Sequence, residues 1–170
     1  MSRALLGASR IVEVGCGTGE LCRLLKAWTG AKVIGSDLSE AAVLNCKRLD
    51  PDGDYVVQNI MTRYRGDNVV PESDLVIASN VLEHFRDPWF VLGKMLTIAP
   101  TAICIVPNEQ PINDGYDFEG GPGHVHEFST GILLELYQER VVDSFLFSSK
   151  GWQHSSRGET PMLFAFMVSL

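Results

Sequence analysis

The residues best placed to do chemistry come early in the chain. Glu13-Val14-Gly15-Cys16-Gly17-Thr18-Gly19 follows a short apolar run that begins at Arg10 and precedes a segment of helical periodicity. Three alternating glycines let a backbone bend tightly and bring main-chain atoms close to a ligand that side chains would hold off. The helix that starts behind them offers unpaired N–H groups to a carboxylate or phosphate. The pattern points to a nucleotide-type ligand, and spacing narrows the choice. Dinucleotide folds favour G-x-G-x-x-G, whereas here the third glycine is Gly19 with Glu20 behind it, and Glu13 stands two residues before Gly15. A carboxylate at that point repels pyrophosphate and suits a ligand with a cationic ammonium group.

S-adenosylmethionine carries such an ammonium beside its sulfonium, and the E-x-G-x-G-x-G run resembles the first motif of class I methyltransferases. Three further stretches continue the resemblance in order, so that it spans about residues 10–146. Gly35-Ser36-Asp37-Leu38 puts an acid 20 residues after Gly17, where a carboxylate can accept both ribose hydroxyl protons. NAD-binding folds place an acid similarly, so this element alone does not discriminate. Gln58-Asn59-Ile60 matches the place where such enzymes hold the adenine amino group with Asp or Asn and the ring with the next apolar residue. The run Ser73 to His84, continued by Phe85-Arg86-Asp87-Pro88, looks like the family's fourth strand and the turn after it.

The resemblance implies S-adenosylmethionine as cofactor. Glu13, Gly15, Cys16 and Gly17 would hold the methionine end, Asp37 with Leu38 beside it the ribose, Asn59 and Ile60 the adenine, and Asn80 and Val81 the sulfonium region. Two features depart from the family. Only nine residues precede the first strand, where relatives usually carry helices that close over the cofactor, and Pro100-Thr101-Ala102 replaces the usual Pro-Gly-Gly turn.

A sulfonium is a good leaving group, so methyl transfer mainly requires a nucleophile held in line and water kept out. A general base helps when the acceptor is a hydroxyl, and histidines serve near neutral pH. His84 follows the fourth strand, and His124 and His126 follow a loop after the fifth. His126 and His84 are the candidate catalytic residues; a hydrogen-bonded structural role is the competing assignment for His84, and loop anchoring for His126. His154 reads as surface. No metal is assigned, although Glu83, His84 and His126 with Pro107-Asn108 resemble part of the metal site of small-RNA 3′-end 2′-O-methyltransferases. Asn80 replaces their first glutamate, which weakens the case for a hard cation. A non-catalytic, cofactor-binding scaffold is the third alternative.

The elements that must position these residues alternate between short apolar runs and longer amphipathic ones, the signature of an α/β fold. Seven strands are expected: Arg10–Val14, Lys32–Ser36, Asp54–Gln58, Asp74–Ser79, Thr101–Val106, Val141–Phe147 and Met162–Ser169. The resemblance gives their order as 3-2-1-4-5-7-6 with strand seven antiparallel, in a Rossmann-like three-layer sandwich. Thr18 stands in the N-cap place of a first helix whose Leu21, Leu24, Leu25 and Trp28 recur at core-facing spacing, with Gly30 as its stop. Ser39 caps a second helix to Leu49, and Asp87-Pro88 opens a third running to Ile98, ended by Pro100. Ser129 opens a fourth over Gly131–Glu139. Between Asn108 and Gly123 the composition turns to glycine, proline, asparagine and acid, a loop long enough to cover a substrate.

A length of 170 residues fits one domain, 1–170, with one core. No apolar run reaches the ~20 residues of a membrane span, and the start is too weakly apolar for a secretory signal. A soluble, cytoplasmic protein is expected. The four cysteines form no CxxC pair, which fits reduced thiols. Net charge is −7, from 21 acidic against 14 basic residues with no basic stripe, so a small-molecule substrate is favoured over nucleic acid. Oligomeric state has no signature in the sequence.

Overall fold

The computed structural model describes residues 2–62, 70–107, 141–148 and 162–169. Five strands lie parallel: β1 (Arg10–Val14), β2 (Lys32–Asp37), β3 (Asp54–Val57), β4 (Leu75–Ser79) and β5 (Thr101–Pro107). Beyond β5, Met162–Ser169 (β7) runs antiparallel, and Val141–Ser148 (β6) pairs antiparallel with β7 at the outer edge. The seven-stranded order β3-β2-β1-β4-β5-β7-β6, with only β7 reversed, is the expected one.

The apolar character of β1, β2 and β4 on both faces follows from helices covering both sides, as parallel sheets require. On one face Ile11, Val33, Leu75, Ile77 and Ile103 pack with α2 (Glu20–Thr29) and α3 (Glu40–Leu49). On the other, Val12, Val14, Val76, Ala78 and Ala102 pack with α4 (Pro88–Met95). Glu13 shares the pleat of Ile11 and so faces the α2 layer, which decides its surroundings.

Some local expectations are corrected. A short helix, α1 (Ser2–Gly7), precedes β1 and packs Leu5 on the core. Its join to β1 is held by Asp74, whose Oδ2 accepts from Ser9 N, Ser9 Oγ and Arg10 N at 2.8, 2.7 and 2.9 Å. Thr18 does not cap α2; Gly19 takes the cap position at φ 74°, where a threonine would be strained. Leu24 and Trp28 lie exposed, because the buried stripe of α2 is centred on Cys22 and Leu25, with Leu21 at its border. Gly30 does end the helix, its N–H bonding Lys26 O. α4 stops at Met95, three residues short of Ile98: Thr97 and Ile98 donate instead to carbonyls three residues back, and the Thr97 hydroxyl also takes Lys94 O. The loop 108–123 and the helix expected over Gly131–Glu139 lie outside the described residues.

Ser39 and Asp87 cap their helices as expected, accepting from Ala42 N at 3.2 Å and Phe90 N at 3.0 Å. Asp87→Ala should lower the unfolding free energy by about 1 kcal/mol, read from the urea midpoint. An unchanged midpoint would remove the cap from the account of α4.

Candidate cofactor site

The turns that follow β1, β2, β3 and β4 all leave the carboxyl edge of the parallel strands, where open α/β sheets bind ligands. The first is shaped by β2. Gly15 N and Cys16 N both donate to Ser36 O, at 2.8 and 3.0 Å, which swings the chain off β1, and Gly19 N then closes on Cys16 O at 2.7 Å. Gly15 and Gly17 have φ of 72° and 51°, a region that L side chains avoid. They differ in surroundings. A Cβ on Gly15 would collide with Val81 Cγ2, whereas one on Gly17 would meet nothing within 4 Å. Gly15 is there for packing between two turns, and Gly17 borders open space.

Asp37, half-buried at the end of β2, joins two turns: its Oδ2 accepts from Gly17 N at 2.9 Å and its Oδ1 from Ser39 N at 2.8 Å. A carboxylate has about four acceptor positions, so both oxygens keep capacity for hydroxyl donors. Leu38, next to it, presents an apolar side chain to solvent, 69% exposed.

Glu13 is placed differently from a surface counter-ion. It is 3% exposed, beneath the turn, and accepts from the Cys22 thiol at 2.7 Å. Burial pushes its pKa up to about 7, against the pull of the Cys22 hydrogen bonds. A buried acid poised to ionise at neutral pH under a glycine turn responds to any cation brought above it.

At the third turn Asn59 Oδ1 accepts from Met61 N at 2.9 Å, leaving capacity for an amino donor. Ile60 is buried in the same cluster as Val14, Ile34 and Val81. At the fourth, Asn80 adopts φ 54°, the single non-glycine residue with positive φ among the described residues, and its N–H bonds Ile105 O at 2.9 Å. A 3-10 turn, Leu82–His84, follows. In it Glu83 is fully buried and His84 exposed, so the two face different environments. That parting argues against a cation shared between them. His124, His126 and His154 lie outside the described residues. The structure therefore gathers Gly15, Cys16, Gly17, Asp37, Leu38, Asn59, Asn80 and Val81 along one edge, with Glu13 beneath it and Ile60 in the core behind.

Three residues that shape the site were not picked out from the sequence. Cys22 is the partner of Glu13, nine residues on, and Ser36 adds Oγ to Glu13 O at 3.0 Å. Tyr55 is wedged among glycines: a Cβ on Gly19 or Gly35 would lie 3.0 or 2.7 Å from its ring, and its hydroxyl donates to Asp50 Oδ2 at 3.0 Å. The signal was present, in Gly19, Gly35 and Gly53 each making room for one ring.

Comparison with known proteins agrees with this geometry. Residues 12–99 match the family described as Methyltransferase domain, just over half of the chain. The ubiquinone biosynthesis O-methyltransferase of Bradyrhizobium diazoefficiens is 28% identical over 102 residues, 59% of this chain and 40% of that protein. The enzyme of the same name from Pseudomonas putida is 32% identical over 92 residues, 53% of this chain and 39% of that protein. The match thus spans about two fifths of these relatives' length. Among solved structures, a chain in the complex of the Haloferax volcanii Trm112 methyltransferase activator with a methyltransferase superposes with a TM-score of 0.73 at 17% identity, covering 99% of this chain and 88% of that one. The N-terminal domain of EvdMO1, solved with SAH bound, gives 0.65 at 15%, covering 98% and 76%. The chain belongs to the methyltransferase domain family, of the class I, Rossmann-like kind.

Two outcomes follow. Because the folded pKa of Glu13 lies above its ordinary 4.5, ionising it penalises the folded state: stability is full below about pH 4.5 and declines as pH rises towards about 7. Glu13→Gln keeps an acceptor for Cys22 and removes that penalty, so it should gain about 3 kcal/mol on the wild type between pH 4.5 and 8; parallel pH profiles of the two proteins would disprove the assignment. Gly15→Ala should cost about 2–5 kcal/mol from backbone strain plus collision, and Gly17→Ala only about 1–2 kcal/mol from strain. Thermal unfolding ranks the pair, and equal losses would contradict the open space at Gly17.

Proposed function

We propose that this chain binds S-adenosylmethionine across the carboxyl ends of β1 to β4 and transfers its methyl group to a small-molecule acceptor by direct in-line displacement. The observation that carries the reading is the Gly17–Asp37 hydrogen bond, which sets a carboxylate beside a glycine whose outer side is open. A ribose needs the first and an amino-acid tail the second.

The sulfonium, when bound, supplies an activated methyl group; the protein's work is placement. Backbone N–H groups at the start of α2 hold the carboxylate of the methionine part. Glu13, ionising as a cation arrives, balances the ammonium from below. Asp37, with Leu38 beside it, holds the ribose hydroxyls, Asn59 accepts from the adenine amino group, and Ile60 backs the ring. Asn80 and Val81 line the methyl's path. For a hydroxyl acceptor His84 or His126 serves as base, and residues 108–123 cover the bound acceptor, all within a single domain over 1–170. The acidic balance, −7 overall, disfavours nucleic acid as acceptor, and the relatives named for ubiquinone biosynthesis favour a small-molecule acceptor. Among the described residues no helix is long and apolar enough to cross a membrane; a cytoplasmic site of action is part of this proposal.

Isothermal titration with S-adenosylmethionine tests the reading, with NAD as the control that should give no heat. Asp37→Ala should weaken binding by about 1–3 kcal/mol through loss of charge-assisted hydrogen bonds. An Asp37→Ala affinity equal to wild type, or preferential uptake of NAD, would refute it.

A further inference from the structure

The turn at 15–19 spends almost all of its main-chain donors inside the protein. The N–H groups of Gly15 and Cys16 go to Ser36 O, that of Gly17 to Asp37 Oδ2 and that of Gly19 to Cys16 O. Two carbonyls are taken by side chains: Arg23 Nη1 donates to Thr18 O at 3.0 Å, and the Cys46 thiol donates to Gly17 O at 3.2 Å. Thr18 N–H is left as the one amide of the turn with no partner among the described residues, and Thr18 is exposed. Water satisfies such a group until a better acceptor arrives.

The direction of that N–H is set from behind. The peptide joining Gly17 to Thr18 is trans, so its carbonyl and its N–H point opposite ways. The carbonyl is drawn to Cys46, 0% exposed in α3 and part of the buried layer that holds Cys22, Val43 and Tyr55. The Thr18 N–H therefore points away from that layer, and its neighbour Gly17 borders open space. Glycine leaves this peptide freer to rotate than a bond between two residues with side chains, so a fixed partner for the carbonyl decides where the donor aims. The sulfur is seated against the turn because residue 19 has no side chain: a Cβ there would lie 3.0 Å from Cys46 Sγ and from the Tyr55 ring.

We propose that Cys46 is a positioning residue for the cofactor: its thiol, bonded to Gly17 O, aims Thr18 N–H at the carboxylate of the methionine part, adding one donor to those at the start of α2. The inference rests on the cofactor reading above, and it gives the sulfur no contact with the ligand. A carboxylate is the acceptor that gains most from an aimed amide, because hydrogen bonds to a charged group are shorter and stronger than neutral ones. Were Cys46 only packing, any small apolar side chain would serve, and every part of the ligand would feel its loss alike. As a positioning group, its loss is felt at the carboxylate.

Isothermal titration of the reduced protein compares S-adenosylmethionine with its decarboxylated form, which keeps the sulfonium and the ammonium. Cys46→Ala should weaken S-adenosylmethionine about three- to tenfold, the size of one lost hydrogen bond, and leave the decarboxylated form within about twofold. Cys46→Ser still offers a donor to Gly17 O and should stay within about twofold of the wild type for both. In the wild type, the Thr18 amide resonance should shift with S-adenosylmethionine and stay in place with the decarboxylated form, a readout that needs no variant to fold. Equal losses for the two ligands in Cys46→Ala, a Cys46→Ser protein as weak as Cys46→Ala, or a Thr18 amide indifferent to the carboxylate would each overturn the proposal. If the wild type binds both ligands equally well, the inference falls while the cofactor reading stands; if it binds neither, both fall.

Discussion

The site rests on the end of β2 holding the turn after β1. Ser36 gives one carbonyl to two successive N–H groups, Gly15 and Cys16, and Asp37 then takes the next free one, Gly17. Without those three bonds a run of alternating glycines has many conformations and little reason to keep one, since glycine loses the most entropy on ordering. With them, the turn is a fixed outward-facing surface whose shape is set by the register of β1 against β2, Val14 opposite Ser36. The contacts that fix the fold and the contacts that prepare the pocket are therefore the same hydrogen bonds.

This economy has a thermodynamic counterpart in Glu13. A carboxyl at that point of β1 must face the α2 layer, because Ile11 and Glu13 share a pleat, and a layer of Cys22, Leu25 and Val43 desolvates it. The folded protein then carries a partly ionised acid at pH 7, held by a thiol. An apolar residue would pack there with less penalty, so stability alone does not account for the choice. On the proposed reading, a group whose charge is disfavoured until a cation approaches would: binding would relieve the penalty, and the relief would favour the bound state.

Much of this was legible in the sequence, for physical reasons. The central strands announce themselves because burial on both faces demands unbroken apolar runs, and Ser39, Asp87 and Gly30 mark helix ends because unpaired N–H and C=O groups need local partners. What escaped was rotation and contact. Leu24 and Trp28 fit the helical period as well as Leu21 and Leu25, yet only tertiary packing decides which stripe turns inward. Thr18 is a better cap than Gly19 by residue type, but the turn requires a left-handed backbone at 19 and the cap moves with it. The candidate cofactor residues could be picked out because they sit at strand ends with fixed spacing. Cys22 and Tyr55 were not, since their importance lies in what touches them: a buried carboxyl in one case, three glycines in the other.

The distribution of backbone strain argues for the same edge without appeal to any relative. Five described residues have positive φ: Gly15, Gly17, Gly19, Gly30 and Asn80. Gly30 has an ordinary explanation as the stop of α2. The other four stand at the carboxyl ends of two adjacent strands, β1 and β4, which pair Val14 with Ala78. Asn80 is the telling member, because a side chain in that region is costly and a glycine would relieve it. It is kept there by its own N–H on Ile105 O and by Val81, which closes over Gly15. Turns built only to connect strands have no need of this arrangement. One that must lay Val81 over Gly15 while the space beside Gly17 stays open does need it.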